Sequence, residues 1–434
     1  MKKIKPKKVY EYLFKNYDGV LEYINKTSYP KYLYWDRIRY KAKPKDLTAE
    51  EFWYAIKIVR KAQSIDSPIK SESSKFFSWI KLPKLEEFFH EMDMNTGGSL
   101  FDFSKDINQG NKFKFITRGV MEEAIASSQL EGAITTRKVA KELLRSGRKP
   151  RNKSEHMILN SYVTMKKIEE EYGKSNLDLE NIFELHRMIV KDTIPENEAG
   201  RFRKDEEDII VGNNENTIYH TPPKINFLNQ EMVRFIKFIN DDLETKFIHP
   251  VVKAIMIHFW LGYLHPFTDG NGRLARALFY WYLIRKGYWA IVYLPISKMI
   301  KKSWAQYRDA YIYSEQDDFD LTYFIDYNVQ KIELASKDFK DYISAKASLN
   351  KKMSSLAHSK YNLNDRQIQL LQYLYKNHEE STTTSLHMKI NEISKITAIK
   401  DLKFLKEKDF LDTKKRGREL YYYPTENIEQ LFKH

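Results

Sequence analysis

The chain has 434 residues, 42% of them hydrophobic, and a formal net charge of +14. That length exceeds one ordinary core and predicts two or three packed domains rather than a disordered chain. The absence of cysteine excludes a disulfide framework and a thiolate metal site, and no stretch approaches the roughly 20 uncharged apolar residues that span a bilayer. The basic N-terminus, MKKIKPKKVYEYLF, is not followed by an apolar run, so no signal peptide is expected. A cytoplasmic protein without membrane contact follows as the expectation. The basic excess is spread along the chain, which makes it a weak nucleic-acid signature.

Residues 1–112 read as an N-terminal helical region. Thr48, with Glu51 three residues later, marks a capped helix start before the apolar run Trp53–Val59. Residues 113–340 carry recurrent helical patterns at 155–172, 179–191, 226–242, 250–264, 272–286 and 321–343. His186 and His258 fall within such patterns and read as packed core histidines. Early in this region, MEEAIASSQLEG (121–132) is an apolar-periodic helix placing Ser127 and Glu131 four apart, closed by Gly132. Next, Ile209, Ile210 and Val211, then Ile218 and Tyr219, are short β-prone runs around Gly212-Asn213-Asn214, the pattern of a hairpin whose edge can pair with an extended peptide. Gly200-Arg-Phe-Arg203 leads into it, its arginines taken as structural.

The most informative run is His265-Pro-Phe-Thr-Asp-Gly-Asn-Gly-Arg-Leu-Ala-Arg276, between two helical patterns. A glycine-flanked loop that closes on a helix N-terminus suits phosphate, because the amides of Gly270, Asn271 and Gly272 can turn toward an anion. Arg273 and Arg276, three apart on the following helix, suit bidentate phosphate binding. Asp269 is a hard oxygen ligand of the kind Mg²⁺ takes when phosphates complete its shell. His265 can take a proton from a hydroxyl, and Phe267 would anchor the loop. His249-Pro250, which lacks these downstream partners, reads as a helix-start turn.

This run resembles the signature of the Fic family, His-Pro-Phe-x-Asp/Glu-Gly-Asn-Gly-Arg-x-x-Arg, at every specified position. The resemblance implies a helical Fic-type core with a small β-hairpin flap, and transfer of AMP from ATP to a Tyr, Thr or Ser hydroxyl of a target protein, or of the chain itself. His265 would be the base and Asp269 would hold Mg²⁺. Asn271 and the adjacent glycine amides would bind the α-phosphate region, and Arg273 and Arg276 the outer phosphates. Ser127, Glu131 and Gly132 resemble the inhibitory element of a Fic subclass, in which Glu131 would pair with Arg276 and block a productive triphosphate pose. The hairpin would be the flap that docks the target. Many relatives carry an asparagine four residues before a tyrosine, near the adenine; here Ser303 precedes Tyr307, so base recognition does not carry over. The same loop in other relatives transfers different phosphate-bearing groups or removes AMP. A homo-oligomer is compatible with all of these.

Residues 341–362 read as a linker. Residues 363–434 then place helices at 364–374, 382–390 and 397–405, and two strands at 410–412 and 420–423 around Lys414-Lys-Arg-Gly-Arg418. This order resembles a winged helix-turn-helix, which implies a third helix in the DNA major groove and a basic wing on phosphates. Thr397, Lys400, Lys403, Lys414, Lys415, Arg416 and Arg418 would be the contacts. Interleaved Glu392, Asp401, Glu407, Asp409 and Glu419 leave the unit only mildly basic, so a protein-docking role is equally open. A DNA-binding regulator that uses the Fic core to sense nucleotide is the rival to the enzyme. The fold class expected is mainly α.

Overall fold

A computed structural model describes residues 5–97, 109–207, 209–212, 217–243, 246–376, 381–391, 393–416 and 419–429. The described chain is mainly helical, with three small sheets, and forms two compact units, 1–339 and 340–434. Among the described residues no helix is long and apolar enough to cross a membrane.

The first unit opens with α1 (Pro6–Ser28), α2 (Trp35–Ile38) and α3 (Ala49–Gln63). The capping box is formed: Glu51 N donates to Thr48 Oγ1 at 3.2 Å and Thr48 N to Glu51 Oε2 at 2.9 Å. An antiparallel hairpin, β1 (Ile65–Lys70) with β2 (Phe76–Trp79), and α4 (Lys84–Met92) follow. This hairpin was not expected. Pro68 falls in the irregular stretch between the Asp66–Ser78 and Lys70–Phe76 pairings, a position a strand proline can take. The N-terminal region does not form a unit apart from the core. Arg60 of α3, buried, donates to the carbonyls of Thr27 (3.2 Å) and Leu33 (3.0 Å) and to Tyr323 Oη (3.1 Å), while Lys57 bonds Asp317. Both acidic and phenolic partners lie far along the chain.

The core continues through α5 (Gln109–Leu130), α6 (Arg137–Ser146), α7 (Lys153–Glu170), α8 (Leu179–Val190), the hairpin β3 (Val211–Gly212) and β4 (Ile218–His220), α9 (Ile225–Ile239), α10 (Pro250–Leu264), α11 (Asn271–Arg285), α12 (Ile296–Lys301), α13 (Trp304–Gln316) and α14 (Thr322–Tyr361). Its centre is the packed pair α10 and α11. All of α10 except Pro250 and Gly262 is buried, as is all of α11 except Gly272, Ile284 and Arg285. Helices apolar on every side must be enclosed on every side, and α5, α7, α8 and α9 supply much of that enclosure. His249 caps α10 with Pro250 at its first position.

Helix α5 is held against the segment after α11 by two features. Glu123, fully buried, accepts hydrogen bonds from Tyr280 Oη (2.9 Å), Ser297 N (2.9 Å) and Ser297 Oγ. One turn earlier, Gly119 lets the backbones touch: a Cβ there would lie 2.2 Å from the Val292 carbonyl oxygen and 2.8 Å from Tyr293 Cα. The span 341–362, expected as a linker, is instead helical through Tyr361, continuing α14. Its Ala, Lys and Leu content supports helix, and it lacks Gly and Pro to stop one.

The second unit contains α15 (Asp365–Lys376), β5 (Thr382–Thr383), α16 (Thr384–Asn391), α17 (Lys395–Glu407), β6 (Leu411–Arg416) and β7 (Glu419–Pro424), with the sheet ordered β5-β7-β6 and antiparallel. Strand β5 was not expected. Leu371, Leu374, Leu402, Leu405, Phe410 and Ile428 fill the core. Asp401 is its polar hub, accepting from Asn364 Nδ2 (2.9 Å) and Arg366 Nε (2.9 Å) with the buried His387 ring at 3.3 Å.

Gly119→Ala forces the α5 backbone away from Val292. We expect a destabilisation of about 1–3 kcal/mol, read as a lower melting temperature; an unchanged melt would show that the close approach is not required.

Candidate functional site

The site is built where α10 stops. His265 is the residue after α10 and takes a left-handed conformation (φ 45°, ψ 57°), its N–H closing on Leu261 O at 2.9 Å. A β-carbon-bearing residue pays about 1–3 kcal/mol for such angles, so the surroundings must impose them. Arg203 does much of this: its N–H donates to Pro266 O (2.8 Å), its Nε to His265 O (2.9 Å), and its Nη2 to Pro223 O. Arg203, taken from sequence as structural, braces the backbone of this loop.

The rest of the loop is tied from within. Phe267 is fully buried and stacks on the His186 ring, centroids 3.7 Å apart. His186 accepts from Gly200 N at 3.0 Å through Nδ1, so Nε2 carries the hydrogen donated to Asp269 O at 2.9 Å. Burial pushes His186 down to about 4, which keeps it in that neutral form. His258 is likewise a buried core histidine, bonded to Tyr307 Oη at 2.8 Å. Asn271 donates to Phe267 O (2.7 Å) and accepts from Phe267 N (3.0 Å). The side-chain oxygen and one of the two amide hydrogens are therefore engaged by the loop itself. Gly270 sits at φ 85°, a left-handed angle that glycine takes without strain.

His265 points its Nδ1 at Gly262 O, 3.3 Å away. A carbonyl can only accept, so Nδ1 carries the hydrogen and Nε2 the lone pair. Burial, and then the neighbouring His220, hold His265 down at about 4. The ring is neutral at physiological pH and able to accept a proton at Nε2.

Asp269 is anchored at one oxygen and open at the other. Oδ1 accepts from Arg273 Nη2 (3.0 Å) and Gly270 N (2.5 Å). Oδ2 accepts no hydrogen bond among the described residues, with Lys153 Nζ at 4.0 Å. One free carboxylate oxygen fits a Mg²⁺ that takes its other ligands from phosphate and water. The described residues hold no cluster of three acidic, His or Cys ligands, so an all-protein cage is not formed among them.

The two arginines diverge. Arg273 is buried, with Nη1 on Ile189 O (2.9 Å) and Nη2 on Asp269, so it positions the carboxylate instead of facing an outer phosphate. Arg276, equally buried, turns instead toward the end of α5. Its Nε bonds Ser127 Oγ (2.8 Å), and its Nη2 bonds Ser127 O (3.0 Å) and Glu131 Oε1 (2.9 Å). Helix α5 ends at Leu130, and Gly132 (φ 88°) turns the chain out just after Glu131. The Glu131 carboxylate then lies over the first turn of α11: a Cβ on Gly272 would be 2.1 Å from Oε1. A side chain at Gly272 would therefore displace the Glu131 carboxylate from its present place.

Strands β3 and β4 pair Val211 with His220 and Gly212 with Ile218. Ile210 and Ile218 are exposed and Ile209, Val211 and Tyr219 half-buried, leaving an apolar edge beside the loop. The turn, Asn213 and Asn214 included, lies outside the described residues, as does Asp208. His220, not singled out from sequence, donates toward Tyr263 O and Glu315 Oε2, each 2.8 Å away. Ser303 Oγ bonds Met299 O (3.1 Å) and Tyr327 Oη (3.0 Å) at the start of α13. In the second unit Lys400, Lys403, Lys414 and Lys415 are exposed, and Lys403 pairs with Glu407 at 3.7 Å. Thr397 is half-buried and bonds Ser394. The Arg416 side chain and all of Arg418 lie outside the described residues.

With that geometry in place, comparison with known proteins gives a consistent class. Residues 176–283 match the model of the Fic/DOC family. A solved structure of a Fic family protein from Desulfovibrio desulfuricans G20 superposes with a TM-score of 0.53 over 79% of this chain and 96% of that one, at 17% identity, which shows a shared fold. Residues 176–283 thus form a Fic/DOC-type domain, and the chain has the fold of a Fic protein. Proteins named protein adenylyltransferase Fic from Drosophila sechellia and Drosophila melanogaster are each 36% identical to it over 115 residues, 26% of this chain and 21% of theirs. The chain thus matches about a fifth of the length of these curated relatives.

Asn271→Ala removes both side-chain bonds to Phe267. We expect a loss of about 1–3 kcal/mol, seen as earlier thermal unfolding; an unchanged melt would show that the loop holds its shape without this clamp.

Proposed function

We propose that this chain is a protein adenylyltransferase restrained by its own Glu131. The observation that carries the proposal is the position of the Glu131 carboxylate, on Arg276 and over the first turn of α11. Exposed amides at a helix N-terminus plus a guanidinium make an anion site. A carboxylate and a terminal phosphate of ATP compete for it.

In the open state the loop amides and Arg276 bind the triphosphate, and Asp269 Oδ2 would hold Mg²⁺, which when bound neutralises phosphate charge. The target hydroxyl, laid along the β3–β4 edge, gives its proton to His265 Nε2 as its oxygen attacks the α-phosphorus. The new O–P bond forms as the bond to the β-phosphate oxygen breaks, and pyrophosphate leaves. A neutral His265 is the form this step needs. The name carried by the fly relatives, protein adenylyltransferase, agrees with the reading.

The test is transfer of label from [α-³²P]ATP to protein. Glu131→Gly should label itself or lysate proteins at least about tenfold faster than wild type, a barrier change of about 1.4 kcal/mol or more. Adding His265→Ala should remove the signal. Equal labelling by wild type and Glu131→Gly would contradict the restraint, and labelling that survives His265→Ala would contradict the assigned base.

A further inference from the structure

The net charge of +14 is gathered at the start of the chain. The first 45 residues contain 13 lysines and arginines against four acids, a balance of +9, and the other 389 contain 60 against 55, a balance of +5. The expectation of a basic excess spread along the chain therefore does not hold. The same region is rich in exposed rings. Between residues 5 and 63 the exposed large apolar side chains are Tyr10, Phe14, Tyr17, Tyr29 and Tyr40, all of them aromatic. Phe14 is 92% exposed, so its ring contributes little burial to the fold. The chemistry at His265 uses neither the charge nor the rings.

Tertiary contacts bring the charge together. Lys8 Nζ donates to Glu51 Oε1 (2.9 Å) and to the Asp46 carbonyl (3.4 Å), and Tyr12 Oη donates to Asp46 Oδ2 at 3.4 Å. These bonds hold the end of the 41–46 segment against the first turns of α1, so Lys41, Lys43 and Lys45 join Lys5 and Lys7 at one end of that helix. All five are exposed and form no ion pair among the described residues. Glu11 and Asp18 of α1 stay exposed and unpaired, two acids against these five lysines. Lys7, Tyr10 and Phe14 lie at i, i+3 and i+7, on one side of α1. The Tyr10 ring meets Tyr54 of α3 edge-on at 6.2 Å. Beside that pair a cavity of about 460 Å³, a volume that holds a small molecule, opens toward Lys57, Ile58 and Lys61. Lys57 is taken by Asp317 and Asp318, whereas Lys61 forms no ion pair among the described residues. The Arg39 guanidinium lies over the Tyr40 ring at 4.7 Å.

We propose that this N-terminal surface binds single-stranded RNA, with the exposed rings stacking on bases and the unpaired lysines following the phosphates. A cationic surface studded with aromatic rings holds a single strand in just this way, because every base has a face to stack. A duplex keeps its base faces inside its own stack and offers these rings nothing. An anionic membrane would also meet the lysines, but helices that enter one present aliphatic side chains along with aromatic ones. No large aliphatic side chain is exposed here before Ile65 among the described residues. Four of the five rings are tyrosines, whose hydroxyls can bond the 2′-OH that distinguishes RNA from DNA. The inference is independent of the reaction proposed at His265.

The experiment is fluorescence anisotropy of a labelled RNA of mixed A and C, about 16 nucleotides long, titrated with the full chain. The DNA strand of the same sequence, an RNA duplex and vesicles containing phosphatidylserine serve as competitors. The RNA strand should bind, and duplex and vesicles should compete at least about tenfold less well than unlabelled strand. The DNA strand should compete at least about threefold less well. Phe14→Ala removes an exposed ring and should weaken binding about fivefold or more. Lys41→Gln, Lys43→Gln and Lys45→Gln together should reduce the slope of log affinity against log salt by about two. Lys400→Glu with Lys403→Glu, in the second unit, should change affinity by less than about twofold. No binding of the strand would overturn the proposal, as would a duplex or vesicles that compete as well as the strand. Equal competition by the DNA strand would overturn the choice of RNA. Unchanged affinity in Phe14→Ala would overturn the stacking surface, and lost binding in the second-unit variant would overturn its location.

Discussion

The first turn of α11 presents unpaired amides to a mouth that also contains Arg276, and an uncompensated site of that kind draws in an anion. In this chain the anion is the carboxylate of Glu131, delivered by α5 and bonded to Arg276 at 2.9 Å. Much of the surrounding structure serves that meeting. Helices α10 and α11 are buried nearly throughout, so the loop between them has little freedom. Gly119 and Glu123 fix α5 against the segment after α11, and Ser127 completes the grip on the guanidinium. A phosphate entering the same place would have to displace a charge already satisfied there.

The loop shows a division of labour between binding and bracing. His265 Nε2 and one oxygen of Asp269 are left open, while Arg276 is buried against Ser127 and Glu131. Asn271, Arg273, Arg203, His186 and Phe267 hold those groups from behind. His265 keeps a left-handed backbone, and buried hydrogen bonds to its own carbonyl and that of Pro266 offset the cost. Such outliers are expected where geometry is set for chemistry rather than for stability.

Much of this could be read from the sequence. The bounds of α10 and the capping box at Thr48 and Glu51 follow from local periodicity and cap chemistry, and the Glu131–Arg276 pair was implied only by the resemblance to a Fic subclass. The parts that could not be read have physical causes. Arg273 and Arg276 are three apart on one helix, and spacing alone puts them on one side; only packing against Ile189 turns Arg273 inward. Asn271 looks like a ligand as a residue type, but its side chain also clamps the loop through Phe267, a contact that no local pattern records. His220 and Arg203 act through carbonyls of residues more than forty positions away, and no local pattern records such contacts. The β1–β2 hairpin was hidden by Pro68, and the helical span 341–362 by a polar composition that suits an exposed helix as well as a linker.

The central claim is that Glu131 and a terminal phosphate contend for one anion site, and calorimetric titration of ATP and of AMP into wild type and Glu131→Gln, both with Mg²⁺, tests it most directly. AMP has no outer phosphate to contend with the carboxylate. The account predicts that Glu131→Gln tightens ATP at least about tenfold while AMP changes by less than about twofold, a difference of about 1 kcal/mol or more. Equal changes for the two nucleotides, or none for either, would contradict it.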